Sequence, residues 1–564
     1  MDVNLRGMNL PTPRFRFAPI PEGLSKVCGF SSLQTFFPTM LKLSPLTKDQ
    51  AETAWLDCKW RITHIDISGT SGPCSLELLE NTDMSSNTLQ SFRSKAFLKV
   101  THLLHPVKWM KGKYSVPKQA GLPWHSKTWA CASEKIQDPW NQAYVEVVAS
   151  YALGRLREQG ISPHFNEFYG AFCAKADTYR FNVTEDFGSF RNAKWFWDGQ
   201  KQGFYKIRVF DTKHKELTNT AELEEYLREP SVIHSDEEDD TSEKSVEELE
   251  VDETVKDGED FTLEEVYSIH SGRFSELSFT KKSENFSEDS GDPNIFYSEF
   301  KNYPVMLIAI EQNNGTMDEL LDNIEEIGAT HGTPEWELRW SAWIFQIIAG
   351  LSAAQAIFGF THNDLHTNNI VWTRTEEEFF YYTLLSGAIF KVPTFGKLFR
   401  IIDYGRAIFK INETMFISDD FRPGNDAEGQ YNFKATSGNP TVILPNPSFD
   451  LSRLAISLFE SLFPNPPEDL EGGKILSEEE GILVHETKSP LFNCLWGWMI
   501  DDNGSNILVN PDGSERFPDF DLYKHIAAYI HTAIPSQQFK HPAFDKFQVN
   551  PSKVGNVKKW QLFV

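Results

Sequence analysis

Apolar and β-branched residues concentrate in 60–67, 74–79 and 96–103, and each of these runs reads as a strand. A helix is predicted over 139–160, with Pro139 in its first turn and Gly160 at its carboxyl end. Further strands are predicted at 168–174 and 304–311, followed by helices at 316–327 and 334–358. In the second of these helices Trp340, Ile344, Ile347, Ile348, Leu351, Ala354 and Phe358 recur at helical spacing. Residues 340–360 carry no formal charge and are long enough to cross a bilayer. Ser341, Gln346, Ser352 and Gln355 interrupt them, and they run straight into a polar loop, so a buried helix is expected rather than a membrane span. A strand pair at 370–372 and 398–402 comes next, then a helix over 447–463. Asn446 caps that helix, Pro447 suits its first position and Pro464 closes it. Leu451, Leu454, Ala455, Leu458 and Leu462 form its apolar face. The rest is mainly helical, and no internal repeat is visible.

At 564 residues the chain is too long for one compact core, and two or three lobes are expected. Residues 1–55 read as an amino-terminal arm and 536–564 as a tail. A net charge of -26 argues against direct nucleic-acid binding and weakly favours a basic protein partner. Between Ser235 and Asp260 stand 14 acidic residues and two lysines, a composition that predicts a disordered linker. Ser235, Thr241 and Ser242 are conceivable phosphorylation sites within it. Six cysteines without a C-x-x-C pair point to reduced thiols inside a cell. No signal core or lipidation motif is evident, so an intracellular, cytoplasmic or nuclear protein with no membrane association is expected.

The chemistry concentrates in two places. In THNDLHTNNI (361–370) an Asp and an Asn five residues apart follow the long helix. Phosphoryl transfer needs oxygen ligands for Mg²⁺ and a carboxylate that orients the acceptor hydroxyl and takes its proton. Asp364 could be that carboxylate and Asn369 a metal ligand, while His362 would steady the loop through a bond to backbone. In FRIIDYGRA (399–407) an apolar strand delivers Asp403 as a second metal ligand, and Gly405 is expected to let the backbone turn behind it.

Together HNDLHTNN and IIDYGR resemble the H-x-D-x-x-x-x-N and D-F-G motifs of the protein-kinase superfamily. THNDLHTNNI, VPTFGKLFRIIDYGRAIF and ISPHFNEFYG are similar to predicted kinases of large nucleocytoplasmic DNA viruses. The DLH wording also occurs in haspin-like kinases and in small-molecule phosphotransferases. The resemblance implies an α+β, bilobal fold: a small β-rich amino-terminal lobe over 56–311 and a larger, mostly helical lobe over 312–535. A long insertion over about 176–300 would interrupt the first, acidic and disordered at 235–260. It implies ATP and Mg²⁺ as cofactors and a Ser/Thr hydroxyl of a protein as acceptor. Lys99 would clamp the donor phosphates, paired with Glu146, with Gln142 and Glu134 as alternative partners. Gly69 and Gly72 would belong to a degenerate phosphate loop, or to a plain hairpin turn. Glu311, Gln312 and Asn313 would offer backbone groups to adenine. Asp450 would anchor the backbone of the catalytic loop.

Three features depart from the pattern. His366 stands where a lysine usually touches the transferred phosphate, and is expected to be a weaker, pH-dependent cation. No A-P-E motif lies between Asp403 and Asp450, and the partner of Arg406 is open. The long spacing from Asn369 to Asp403 predicts an extra hairpin or loop at 375–396. A small-molecule kinase and a non-catalytic scaffold remain as other readings, and packaging in a virion is possible. The loop from Asp501 reads as a turn rather than a calcium site, because Asp512 replaces the usual Glu.

Overall fold

The computed structural model describes residues 13–563 except 25–26, 70, 81–90, 115–129, 212–214, 219–222, 224–225, 230–293, 432–442, 480, 509, 511–515 and 519. The acidic stretch 235–260, with Ser235, Thr241 and Ser242, lies outside the described residues. The fold is mixed α+β. A seven-stranded antiparallel sheet occupies the amino-terminal half, and helices dominate the remainder.

The sheet runs Phe30–Gln34, Phe168–Asn182, Ile295–Glu311, Ser91–His102, Gly72–Glu80, Trp60–Asp66, and Lys206–Phe210 pairs with the start of the Ile295–Glu311 strand. The expected strands are present, several longer than their apolar runs suggest. Two corrections follow for the flanks of the expected insertion. Residues 176–182 and 295–300 are continuous strand, and Lys194–Lys201 is a helix that buries Phe196 and Trp197. The amino-terminal arm is also more than an arm. Phe30–Gln34 is an edge strand of the sheet, and Phe36, Phe37 and Met40 enter the core.

One helix, Gln142–Glu158, crosses the sheet and is buried along most of its length. Pro139 precedes its first turn; the cap is Asn141, whose side chain accepts the Ala143 N–H. Gly160 follows the carboxyl end at φ 69°, a left-handed conformation that costs glycine little.

The helical half is built around Pro334–Phe358, capped by Thr333 and closed by Gly359. Of its most apolar window, 83% is buried inside the protein, which explains its uncharged sequence. Phe345 at its centre meets Tyr382, Phe390, Phe539, Phe544 and Phe547 with ring centroids 5.2–5.9 Å away. The last three belong to the stretch read as a tail, which is therefore core. The excess length before Asp403 forms the hairpin Phe379–Thr383 and Ile389–Pro393, flanked by the short strands Gln548–Val549 and Trp560–Gln561. The helix Phe449–Leu462 starts two residues later than expected, with Ser448 at the cap position and Asn446 accepting the Ser448 N–H instead, and it buries Leu451, Leu454 and Leu458. Asp501 makes a turn, its Oδ1 accepting the N–H groups of Asn503 and Ser505.

Candidate active site

The loop that carries Asp364 is fixed from below by one buried carboxylate. Asp450 begins the Phe449–Leu462 helix and is fully buried. Its two oxygens accept the backbone N–H groups of His362 and Asn363, each at 2.9 Å. Burial raises its carboxyl to about 6, even though His362 and the two N–H bonds favour the charged form. Asn363 holds a left-handed conformation at φ 64°. Its amide donates to the carbonyls of Thr361 and Arg406, which offsets part of that strain.

His362 ties this loop to the segment bearing Asp403. Its Nε2 lies 2.8 Å from the Ile402 carbonyl, and the Ile402 N–H donates to the Asn369 carbonyl at 3.0 Å. The rings of Phe360, His362 and Tyr404 pack edge to face beside this junction. Asp403 itself takes φ 65°. The turn is thus made at Asp403, not at Gly405, correcting the expected role of that glycine. Gly405 instead gives room to the Gln142 side chain, whose amide nitrogen would lie 2.9 Å from a Cβ there.

The sheet contributes Lys99. Its strand places it opposite Ile308, and its ammonium bridges Glu146 Oε1 at 2.5 Å and Asp403 Oδ1 at 2.8 Å. Glu146 is therefore the partner, and neither Gln142 nor Glu134. Burial would strip the Lys99 charge, but the two carboxylates outweigh it and hold the ammonium firmly protonated. Burial raises the Glu146 carboxyl to about 7 against the pull of Lys99. For Asp403 burial also pushes upward, and Lys99 overrides it to keep the carboxyl below its ordinary range.

Asn369 closes the set. Its Nδ2 donates to the Asp364 carbonyl at 2.9 Å and lies 3.1 Å from His366 Nε2, so Oδ1 is the atom that could hold a metal. Burial lowers the His366 imidazole below its ordinary range, and its Nε2 faces the Asn369 amide. Arg406 has found its partners: its guanidinium lies 3.8 Å from Asp364 Oδ2 and 3.6 Å from Asp420 Oδ2.

Gly69 and Gly72 lie at the turn between the first two strands of the sheet's far edge, and Gly72 pairs with Leu98, next to Lys99. Gly72 sits at φ 122°, which favours glycine; Gly69 meets no close neighbour that would forbid a side chain. At the other end, Glu311 is less available than expected. Its N–H donates to the Glu167 carbonyl, and its carboxylate pairs with Arg157 and Arg400. The Asn313 side chain bonds Asn166 and Arg400.

Two groups of residues were missed by sequence reasoning. Residues 419–426 brace the amino end of the Glu146 helix. Asp419 accepts the Gln142 N–H at 2.9 Å and pairs with Lys135, and Arg422 pairs with Asp138 at 2.5 Å. Asp426 lies 3.5 Å from His105. The second group is Tyr523 and Arg453, which stand behind Asp364. Their polar, loop-like or helical surroundings in sequence give no sign of either contact. Among the described residues no group of three or more His, Cys, Asp or Glu side chains could enclose a metal. No protein-family model and no curated protein matches the chain.

Proposed function

We propose that this chain is an ATP- and Mg²⁺-dependent phosphotransferase of protein-kinase fold, acting on Ser/Thr hydroxyls of a protein. The observation that carries the reading is the Lys99 ammonium held between Glu146 and Asp403 beside a loop that presents Asp364 and Asn369. A positive charge, two oxygen ligands and a carboxylate base are the parts that phosphoryl transfer requires.

The donor set fits Mg²⁺. It offers Asp403 and Asn369 Oδ1 rather than an all-protein cage, and Mg²⁺ keeps waters and takes phosphate oxygens for the rest of its shell. Bound there, the metal would neutralise charge on the donor phosphates. Lys99 would hold the phosphates from the sheet side, with Glu146 fixing its direction. Asp364 would orient the acceptor hydroxyl and receive its proton as the new oxygen–phosphorus bond forms and ADP departs. Gln312 and Asn313 would meet the adenine through backbone groups, and the Gly72 turn would cover the phosphates. The net charge of -26 favours a basic acceptor protein.

The test is transfer from radiolabelled ATP to a basic protein mixture. Asp403→Ala and Asp364→Asn should each lower it by roughly 10³-fold, with melting temperatures near wild type. Full transfer by Asp403→Ala, or none by the wild type, would overturn the assignment.

A further inference from the structure

The Asp364 side chain is a quarter exposed. Left to itself, a carboxylate in that setting samples several rotamers, and a base that wanders by an ångström loses much of its value. Here its Oδ1 accepts the Tyr523 hydroxyl at 2.7 Å. Tyr523 is buried on the helix Asp521–Tyr529, 159 residues further along the chain. The same hydroxyl oxygen accepts Arg453 Nε–H at 3.0 Å. A guanidinium has no acceptor, so the phenol proton must point to Asp364, and the direction of the relay is fixed. The tyrosine ring is held by Phe520 and Phe449, at centroid distances of 5.2 and 5.8 Å.

Arg453 stands one turn after Asp450 on the same helix. That helix therefore grips the loop twice: its backbone through Asp450, and the Asp364 carboxylate through Arg453 and Tyr523. The second oxygen of Asp364 faces Arg406, so neither oxygen is left to choose its own orientation.

We propose that Tyr523, backed by Arg453, is a positioning residue that sets the rotamer of the Asp364 base. This rests on the reading of Asp364 as that base. It deepens the reading by naming a residue from the carboxyl-terminal helices as part of the transfer machinery. A charge-assisted O–H···O⁻ bond is stronger than a neutral one, and its loss frees the carboxylate without removing it.

The experiment compares wild type, Tyr523→Phe, Asp364→Asn and the double variant, all in the full chain, by steady-state phosphotransfer and thermal melting. Tyr523→Phe should lower kcat roughly 10- to 100-fold and leave the KM for ATP within about two-fold. In the Asp364→Asn background the same change should have no further effect on residual transfer, because there is no carboxylate left to orient. Wild-type kcat in Tyr523→Phe overturns the relay and leaves the kinase reading standing. An equal loss in both backgrounds overturns it too, since Tyr523 would then be a packing residue. A rise in kcat overturns it in the opposite sense, making Tyr523 an obstruction. No transfer by the wild type removes the kinase reading, and this inference with it.

Discussion

The two sides of the candidate site are held in opposite ways. On the helical side Asp450, His362 and Asn363 are fully buried, and their bonds are short and directed at backbone. On the sheet side the decisive contact is between side chains, and both partners reach solvent: Lys99 is 26% exposed and Asp403 45%. A backbone bond to a buried carboxylate has no alternative partner, so it is either made or the loop moves. An ion pair at a partly wet cleft can be exchanged for another at modest cost. On the proposed reading, the base is mounted on the rigid side, and the groups that would meet phosphate and metal stand on the adaptable one. The difference predicts that changes at the Lys99 ion pair cost activity, while changes at the buried Asp450 anchor cost stability first.

The largest effect should come from Lys99→Met. Losing a preorganised cation typically costs on the order of 10²- to 10³-fold in turnover, and transfer should fall by that much. The melting temperature should move less than for any change at Asp450. Asp403 can be hydrated once Lys99 is gone, and Glu146, already raised to about 7, takes up a proton. A Lys99→Met protein that unfolds as readily as an Asp450 variant would erase the contrast.

Asp450→Asn is the counterpart. One of the two N–H groups loses its acceptor and faces an amide NH₂ instead, a cost of roughly 2–4 kcal/mol by denaturant unfolding at pH 7. The pH dependence has a definite sign. The folded value, about 6, lies above the ordinary 3.8, so the folded state binds this proton more tightly than the unfolded chain. Wild-type stability should therefore decline from about pH 4 to about pH 6 and gain no further slope from this group above that. Asp450→Asn lacks the group, so the stability gap between the two proteins should shrink across that window by up to roughly 3 kcal/mol. A gap that widens with pH would contradict the burial argument.

The same contrast governs what was legible in the sequence. Local patterns foretold the strands around Lys99, the long apolar helix Pro334–Phe358 and the existence, though not the start, of the helix that carries Asp450, because each is set by nearby apolar spacing. The hairpin before Asp403 was legible from chain length alone. The reason for Gly405 was misread because close approach of Gln142 comes from a helix more than 200 residues earlier, not from the local turn. The burial that lowers the His366 imidazole and the Asn369 amide beside it were not legible, because both arise only on folding. The tail was not read as core because Phe539, Phe544 and Phe547 stand among mostly polar residues in sequence and gather only around Phe345. Tyr523 and the brace at 419–426 left no sequence signal for the same reason: each acts on a residue that only folding brings near.

The smallest effect, and the finest probe of the sheet side, is at Asn141. Its Oδ1 caps the Glu146 helix through the Ala143 N–H at 3.1 Å. Its Nδ2 donates to the carbonyls of Leu103 and Lys135, at 2.9 and 3.0 Å. Leu103 directly follows the strand that carries Lys99, so this one amide joins the base of that strand to the start of the helix that carries its partner. Asn141→Ala loses the cap and both donors and should cost about 1–2 kcal/mol. Asn141→Ser restores the acceptor for the cap but not the donors, and should recover roughly half of that. If Glu146 is held mainly by its helix, Ser should also restore transfer to near wild type. If the carbonyl links set the distance between strand and helix, Ser should stay a few-fold below wild type while its melting temperature recovers. The latter is expected, because Lys99 and Glu146 sit on different elements and their 2.5 Å contact depends on both being in register.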